Sequence, residues 1–333
     1  MPDRQQTDYK SLIDEETWSF IAQTESFYPP ETIDYAIDQQ REIYDTMCRQ
    51  FFSGYPSGVS ASDDSIAHSQ SNVSVRRYTS AKHNKSLQDN AHIVYFHGGG
   101  FVVGGLDSHD DVCAELCDLT GLGVTSVDYR LSPEHKHPAA FEDSMACVLH
   151  EASRLQIPLL LCGDSAGGNL AAAVSHAIRQ DRTESGLPVI CGQVLIYPGL
   201  GGDTSRGSYI THAEAPMLTT RDVLFYSGIR GSDTKDTSAT VTRDATLAPL
   251  TDTDFSNLPN TIIVSAECDP LSDDGRNYRD AIISAGGKAV WFNENGLVHG
   301  YLRARNSVNR ARESFSRIVD GLKMLSDNRW YHT

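Results

Sequence analysis

Between about residue 8 and residue 53, apolar side chains recur at mixed three- and four-residue spacing: Trp18, Phe20 and Ile21, then Ile33, Tyr35, Ile37, Ile43, Tyr44 and Met47. That period predicts two amphipathic helices. Residues 54–70, GYPSGVSASDDSIAHSQ, are rich in Gly, Ser, Asp and Pro and are expected to form a linker or mobile loop. Beyond them the pattern changes to short apolar runs at 72–79, 91–96, 122–127, 158–162, 191–197, 260–266 and 288–293. Helical stretches lie between these near 108–120, 138–155, 166–181, 275–286 and 304–325. Strands alternating with helices imply crossovers and an α/β fold with a mostly parallel sheet. Several runs are continuous Val, Ile and Leu, as strands covered on both faces by helices require. Residues 199–250 break the alternation, with one short amphipathic piece from Thr219 to Ile229 and then a polar stretch. An insertion after a strand end accounts for that break.

Composition narrows the function without naming it. The chain has 333 residues, 39 % of them hydrophobic and 22 % charged, which suits one α/β domain carrying a lid. A formal net charge of −16 with no compensating Lys/Arg cluster argues against nucleic acid and anionic lipid surfaces as partners. The start, MPDRQQTDYK, lacks the apolar run of a secretory signal, and no stretch approaches the roughly 20 apolar residues of a membrane span. A cytoplasmic location is therefore expected. The seven cysteines form no CxxC pair, in keeping with reduced thiols, and Cys162 and Cys191 fall in apolar runs as small core residues. Asp107 to Asp111 with His109 between them reads as a helix start, since no matching metal ligands occur elsewhere, and His135-x-His137 is too little for zinc.

Two glycine motifs carry the candidate chemistry. Gly163-Asp164-Ser165-Ala166-Gly167 follows the run PLLLC directly and opens the helical stretch AGGNLAAAVSHAI. A strand, tight turn and helix in that order would thrust the Ser165 hydroxyl out of the sheet and aim the helix N-terminus at it. A plain glycine-rich turn, for instance around phosphate, is the competing reading of this motif taken alone. His97-Gly98-Gly99-Gly100 ends the run AHIVYF, and three glycines let backbone N–H groups converge on one oxyanion, as in the known esterase and lipase loop. The expected donors are the N–H groups of Gly99, Gly100 and Ala166. His97 is expected to pack or to hold the loop, because a base must reach Ser165 from the other side. Asp164 either tunes the site or stabilises the turn.

Hydrolases of this architecture order their triad Ser, acid, His. After the run NTIIVSAE stand Asp269, Asp273 and Asp274. Asp269 is nearest the strand end and Pro270 fixes a turn after it, so it is the expected acid; Asp273 and Asp274 are expected to cap the next helix. His299 sits in a Gly-flanked loop past the run KAVWFN, where it can bridge Asp269 and Ser165. His92 in a strand and His176 on the far part of a helix are less well placed.

The set HGGGF, DYRLSPEHKHPAAFED, GDSAGGN, DPLSDDG and HGY, in this order, closely resembles the bacterial hormone-sensitive-lipase-like esterases. The resemblance implies an α/β-hydrolase fold: a mostly parallel sheet of about eight strands in residues 56–333, under a helical cap built from residues 1–55 and an insertion at about 199–250. It also implies metal-independent hydrolysis of short- to medium-chain acyl esters without a cofactor, commonly by homodimers. Tyr301 stands where the family often has Phe, a change with no expected consequence for mechanism, although acyl-pocket shape can differ. An amidase or formamidase with the same triad is an alternative. A non-catalytic small-molecule receptor is another, since plant gibberellin receptors resemble this family while lacking the catalytic histidine; His299 is present here.

Overall fold

The computed structural model describes residues 7–68, 71–81, 90–180, 188–231 and 244–331. Eight strands form one sheet: β1 (Val59–His68), β2 (Ser71–Ser80), β3 (His92–Phe96), β4 (Gly123–Asp128), β5 (Leu159–Asp164), β6 (Ile190–Ile196), β7 (Thr261–Cys268) and β8 (Ala289–Val298). Their spatial order is β1-β2-β4-β3-β5-β6-β7-β8. β2 runs antiparallel to both its neighbours, and every later pair is parallel. The expected α/β architecture with a mostly parallel eight-stranded sheet is thus found.

Period-two alternation explains the layering. Ile93 and Tyr95 of β3, with Leu160 and Cys162 of β5, belong to the core on one face. Val94 and Phe96, with Leu159 and Leu161, belong to the core on the other. Each such fully buried aliphatic or aromatic side chain contributes roughly 1.5–3 kcal/mol. The helices α4 (Asp110–Thr120), α5 (Ala139–Leu155), α6 (Ala166–Gln180), α9 (Ser272–Ser284) and α10 (Asn309–Ser326) cover these faces, following α1 (Tyr9–Leu12), α2 (Glu15–Glu25) and α3 (Ile37–Phe51) at the N-terminal side and α7 (Ser208–Thr211) and α8 (Thr220–Arg230) in the insertion.

The expected linker at 54–70 is corrected in part: residues 59–68 are β1, paired with β2 from Val59↔Ser80 to His68↔Ser71. Only Ile66 of this strand is buried, so no apolar period marks it. Backbone pairing and cross-strand charge hold it instead, with Asp63 bonded to Arg76 at 2.6 Å and Asp64 to Arg77. Charged residues on an edge strand also discourage pairing with another chain. The polar stretch expected after Ile229 falls mostly at 232–243, outside the described residues.

Two separate segments meet above the carboxyl ends of the parallel strands. Thr7 Oγ1 donates to Thr211 O at 2.6 Å, Tyr9 OH lies 3.3 Å from His212 Nδ1, and the Tyr28 and Tyr226 hydroxyls are 3.0 Å apart. Asp34 and Arg221 add an ion pair between the same two segments. The N-terminal helices and the insertion therefore share one roof, although about 200 residues separate them in sequence.

Candidate active site

Because β3, β5, β7 and β8 are parallel, the residues that follow them emerge at one edge of the sheet, where α/β folds bind ligands. His97, Ser165, Asp269 and His299 each stand just past one of these strand ends. Ser165 occupies a left-handed backbone conformation with φ 54°, and its N–H donates to Ile196 O at 2.8 Å. Such a strained single residue suits a turn that pushes its side chain outward.

The flanking glycines are a matter of contact distance. A Cβ on Gly163 would lie 2.4 Å from the Gly167 oxygen, and one on Gly167 only 1.9 Å from the Phe96 carbonyl oxygen. Gly167→Ala should therefore lower stability by at least about 1–3 kcal/mol, since the opposing backbone cannot swing aside. Denaturant unfolding reads this directly; an unchanged midpoint would contradict the close approach.

Three side chains expected from sequence to meet do so. His299 Nε2 lies 2.9 Å from Ser165 Oγ, and His299 Nδ1 lies 2.7 Å from Asp269 Oδ2. Asp269 is buried, and its other oxygen accepts from the Leu271 N–H at 2.8 Å, which fixes the carboxylate plane. The Tyr197 ring packs 4.8 Å from the imidazole and limits its rotation.

Facing Ser165, Gly99 and Gly100 have φ 124° and 61°, a path open to glycine, and together with Ala166 they line the same cavity as Ser165 and His299. Asp164 anchors this loop to the turn. Its Oδ1 accepts from Gly98 N–H at 3.0 Å and Tyr95 OH at 2.7 Å, while Oδ2 faces His109 Nε2 at 3.3 Å and Tyr197 OH at 3.4 Å. Burial alone would raise this carboxyl, but His109 and the hydrogen bonds outweigh it and hold Asp164 ionised, far below the usual carboxylate range.

His97 holds the loop, as expected: it stacks on Tyr129 at 4.2 Å and its Nδ1 lies 2.7 Å from Gly98 O. Burial, aided by His109, pushes it down to about 4, so it stays neutral. His92 bonds Thr125 and His176 bonds Asp252 and Tyr278, all away from Ser165. Asp110 and Asp111 open α4 and also take Tyr55, Tyr78 and Arg305 as partners. No group of three or more metal-ligating side chains occurs among the described residues, and no helix there is long and apolar enough to cross a membrane. The seven cysteines are all unpaired thiols.

Two expectations need revision. Asp273 and Asp274 do not cap α9, whose N-cap is Leu271; they bind the insertion. Asp273 accepts from Ser208 N–H at 3.0 Å, and Asp274 Oδ2 from Leu200 N–H, Gly202 N–H and Tyr209 OH at 2.7, 3.3 and 3.1 Å. Tyr301, a position open to a difference in acyl-pocket shape, does not line the cavity and lies in the core, bonded to Ser314 Oγ at 2.7 Å and packed on Tyr197.

Burial raises Asp274 to about 7 from 3.8, with its neighbour Asp269 adding to the effect. In the folded chain it keeps its proton up to near neutrality, whereas unfolded it releases it near 3.8, so its contribution to stability is full below about pH 4 and is lost as pH rises to 7. Asp274→Asn should abolish that slope, at most about 1.4 kcal/mol per pH unit. Parallel melts of the two proteins from pH 4.5 to 7.5 give the difference; a difference independent of pH would contradict it.

The cavity over Ser165 has a volume of about 410 Å³ and is walled largely by apolar side chains. Among the lining residues that sequence reasoning did not assign to the site are Tyr28, Tyr44 and Tyr226 of the roof, because neither period nor motif marks which way a roof residue faces, and Arg303 just past His299.

The alpha/beta hydrolase fold family matches residues 93–303, and the chain belongs to that family. It is 38 % identical over 242 residues to carboxylesterase NlhH of Mycobacterium tuberculosis, covering 69 % of this chain and 72 % of that protein. Among solved structures, the ester-hydrolase EH1AB1 from the metagenome of Lake Arreo superposes with a TM-score of 0.83 at 28 % identity, covering 94 % of this chain and 98 % of that one. The hyperthermophilic esterase from Pyrobaculum calidifontis gives 0.80 at 29 % identity, covering 95 % and 99 %.

Proposed function

We propose that this protein hydrolyses short- to medium-chain carboxylic esters through an acyl-enzyme on Ser165, in the manner of the hormone-sensitive-lipase-like esterases. The observation that carries this reading is the pair of hydrogen bonds, 2.9 Å and 2.7 Å, that link Ser165 Oγ through His299 to Asp269. His299 takes the hydroxyl proton as Oγ attacks the ester carbonyl and returns it to the leaving alcohol. It then deprotonates water to release the acid, while Asp269 fixes the tautomer and stabilises the imidazolium. The N–H groups of Gly99, Gly100 and Ala166 receive the oxyanion; one such donor is worth about 100- to 1000-fold in rate. The described parts of residues 1–55 and 199–250 serve as the cap over the site.

A cavity of about 410 Å³ is near the lower end for ligand pockets, which favours short acyl chains. Turnover of p-nitrophenyl acetate, butyrate, octanoate and palmitate should peak at the shorter esters and be negligible for palmitate. An amide of the same acyl group tests the amidase alternative: faster cleavage of the amide would replace the ester reading. The receptor alternative is disfavoured by His299, present and bonded to Ser165.

A further inference from the structure

The cavity that holds Ser165 also holds two arginines, Arg230 and Arg303. They are not equivalent. Arg230 directs its guanidinium to Leu247 O, Thr246 O and Asn169 Oδ1 at 3.0, 3.4 and 3.1 Å, with Phe101 stacked 3.5 Å away, so it fastens the insertion to the elbow helix. Arg303, four residues past His299, is partly accessible and has five N–H donors. Nη1 donates to Ser108 O at 3.1 Å and Nη2 to Tyr44 OH at 2.8 Å, both neutral acceptors.

Arg305, two residues further on, is a structural arginine with its charge answered directly: it is buried and paired with Asp111 at 2.6 Å and Glu115 at 2.9 Å, whereas Arg230 spends its donors on three neutral acceptors. No carboxylate among the described residues is in such contact with Arg303. Asp164, the ionised carboxylate of the same cavity, attracts Arg303 at longer range, but its oxygens take their hydrogen bonds from Gly98, Tyr95, His109 and Tyr197 and not from the guanidinium, whose remaining N–H groups are left for a direct partner. A guanidinium in a largely apolar cavity gains most from an anion in direct contact, and its planar fork matches a carboxylate.

We infer that Arg303 is a specificity residue for esters that carry a second, free carboxylate, so that the enzyme takes half esters in preference to neutral esters of the same length. This rests on the hydrolase reading above. The carboxylate could sit on the acyl side, as in a dicarboxylic half ester, or on the alcohol side, as in an ester of a hydroxy acid. The net charge of −16 slows the approach of any anion, so the preference should grow as salt screens that repulsion.

The test compares kcat/KM within matched pairs in 0.3 M salt, an ionic strength chosen to shorten the screening length to roughly 6 Å. On the acyl side the pairs are monoethyl succinate, glutarate and adipate against ethyl butanoate, pentanoate and hexanoate. On the alcohol side the pair is the butanoyl ester of glycolic acid against ethyl butanoate. One charged hydrogen-bonded pair is worth about 10- to 100-fold, so at least one half ester should exceed its neutral partner by about tenfold. Arg303→Met should reduce that ratio by about 10- to 100-fold, and Arg303→Lys should restore part of it.

Each ratio is taken within one protein, so a merely structural Arg303 leaves it unmoved. Neutral esters favoured in every pair by the unmodified enzyme, or one ratio shared by it and Arg303→Met, overturns the inference. The first of these results stands even if the variant does not fold. Absence of turnover on neutral and anionic esters alike would instead count against the hydrolase reading itself, and the inference with it.

Discussion

Ser165→Ala should lower kcat for a neutral short ester by about 10⁶-fold while leaving the melting temperature within a degree or two of the parent. The loss is large because the hydroxyl is the only atom removed and the only one that forms the new bond. Stability is spared because Oγ has one partner, His299 Nε2 at 2.9 Å, and the φ of 54° is as strained for Ala as for Ser. Purified variant and parent are compared by initial rates and by thermal melts. Retention of more than a thousandth of the parental rate in a folded variant would remove Ser165 from the mechanism.

Asp269→Asn should cost about 10⁴-fold in kcat near neutral pH. Asp269 uses one oxygen for the Leu271 N–H and the other for His299 Nδ1. An amide oriented to keep the first bond turns its NH₂ toward Nδ1, which must then be the unprotonated nitrogen. The proton moves to Nε2, and that nitrogen can no longer accept from Ser165. Wild-type-like turnover in the Asn variant would show that Asp269 is only a structural acceptor, leaving the base to be oriented by Tyr197 packing.

Much of this was legible in the sequence because the chemistry sits on strand ends. Ser165, Asp269 and His299 each follow an apolar run, and the parallel sheet turns that serial order into proximity. Gly163 and Gly167 were legible for a related reason, since contacts of 2.4 and 1.9 Å leave no other residue type room. β1 was hidden because an edge strand with one buried side chain carries no apolar period. Asp274 looked like a helix cap because acids before helices commonly are; its partners Leu200, Gly202 and Tyr209 lie about 70 residues away, and spacing cannot reveal them. Arg303 follows His299 closely, yet Arg305 does too, and only the fold separates the arginine facing the cavity from the one paired with Asp111 and Glu115.

Asp164 shows the same limit in a different form. Its place beside Ser165 suggested either electrostatic tuning or turn support, and the structure gives it both settings at once. Four donors, from β3, the glycine loop, His109 and the residue after β6, converge on this one buried carboxylate at the elbow, which stays ionised beside His109. A substitution there would therefore loosen the oxyanion loop as well as alter charge.

The most direct measurement of the central claim is stoichiometric reaction with a p-nitrophenyl phosphonate, followed by intact mass and peptide mapping. One equivalent of p-nitrophenol released per chain, a single phosphonyl adduct on Ser165 and loss of ester turnover in proportion are expected. An adduct elsewhere, or full ester turnover after Ser165 is modified, would contradict the account.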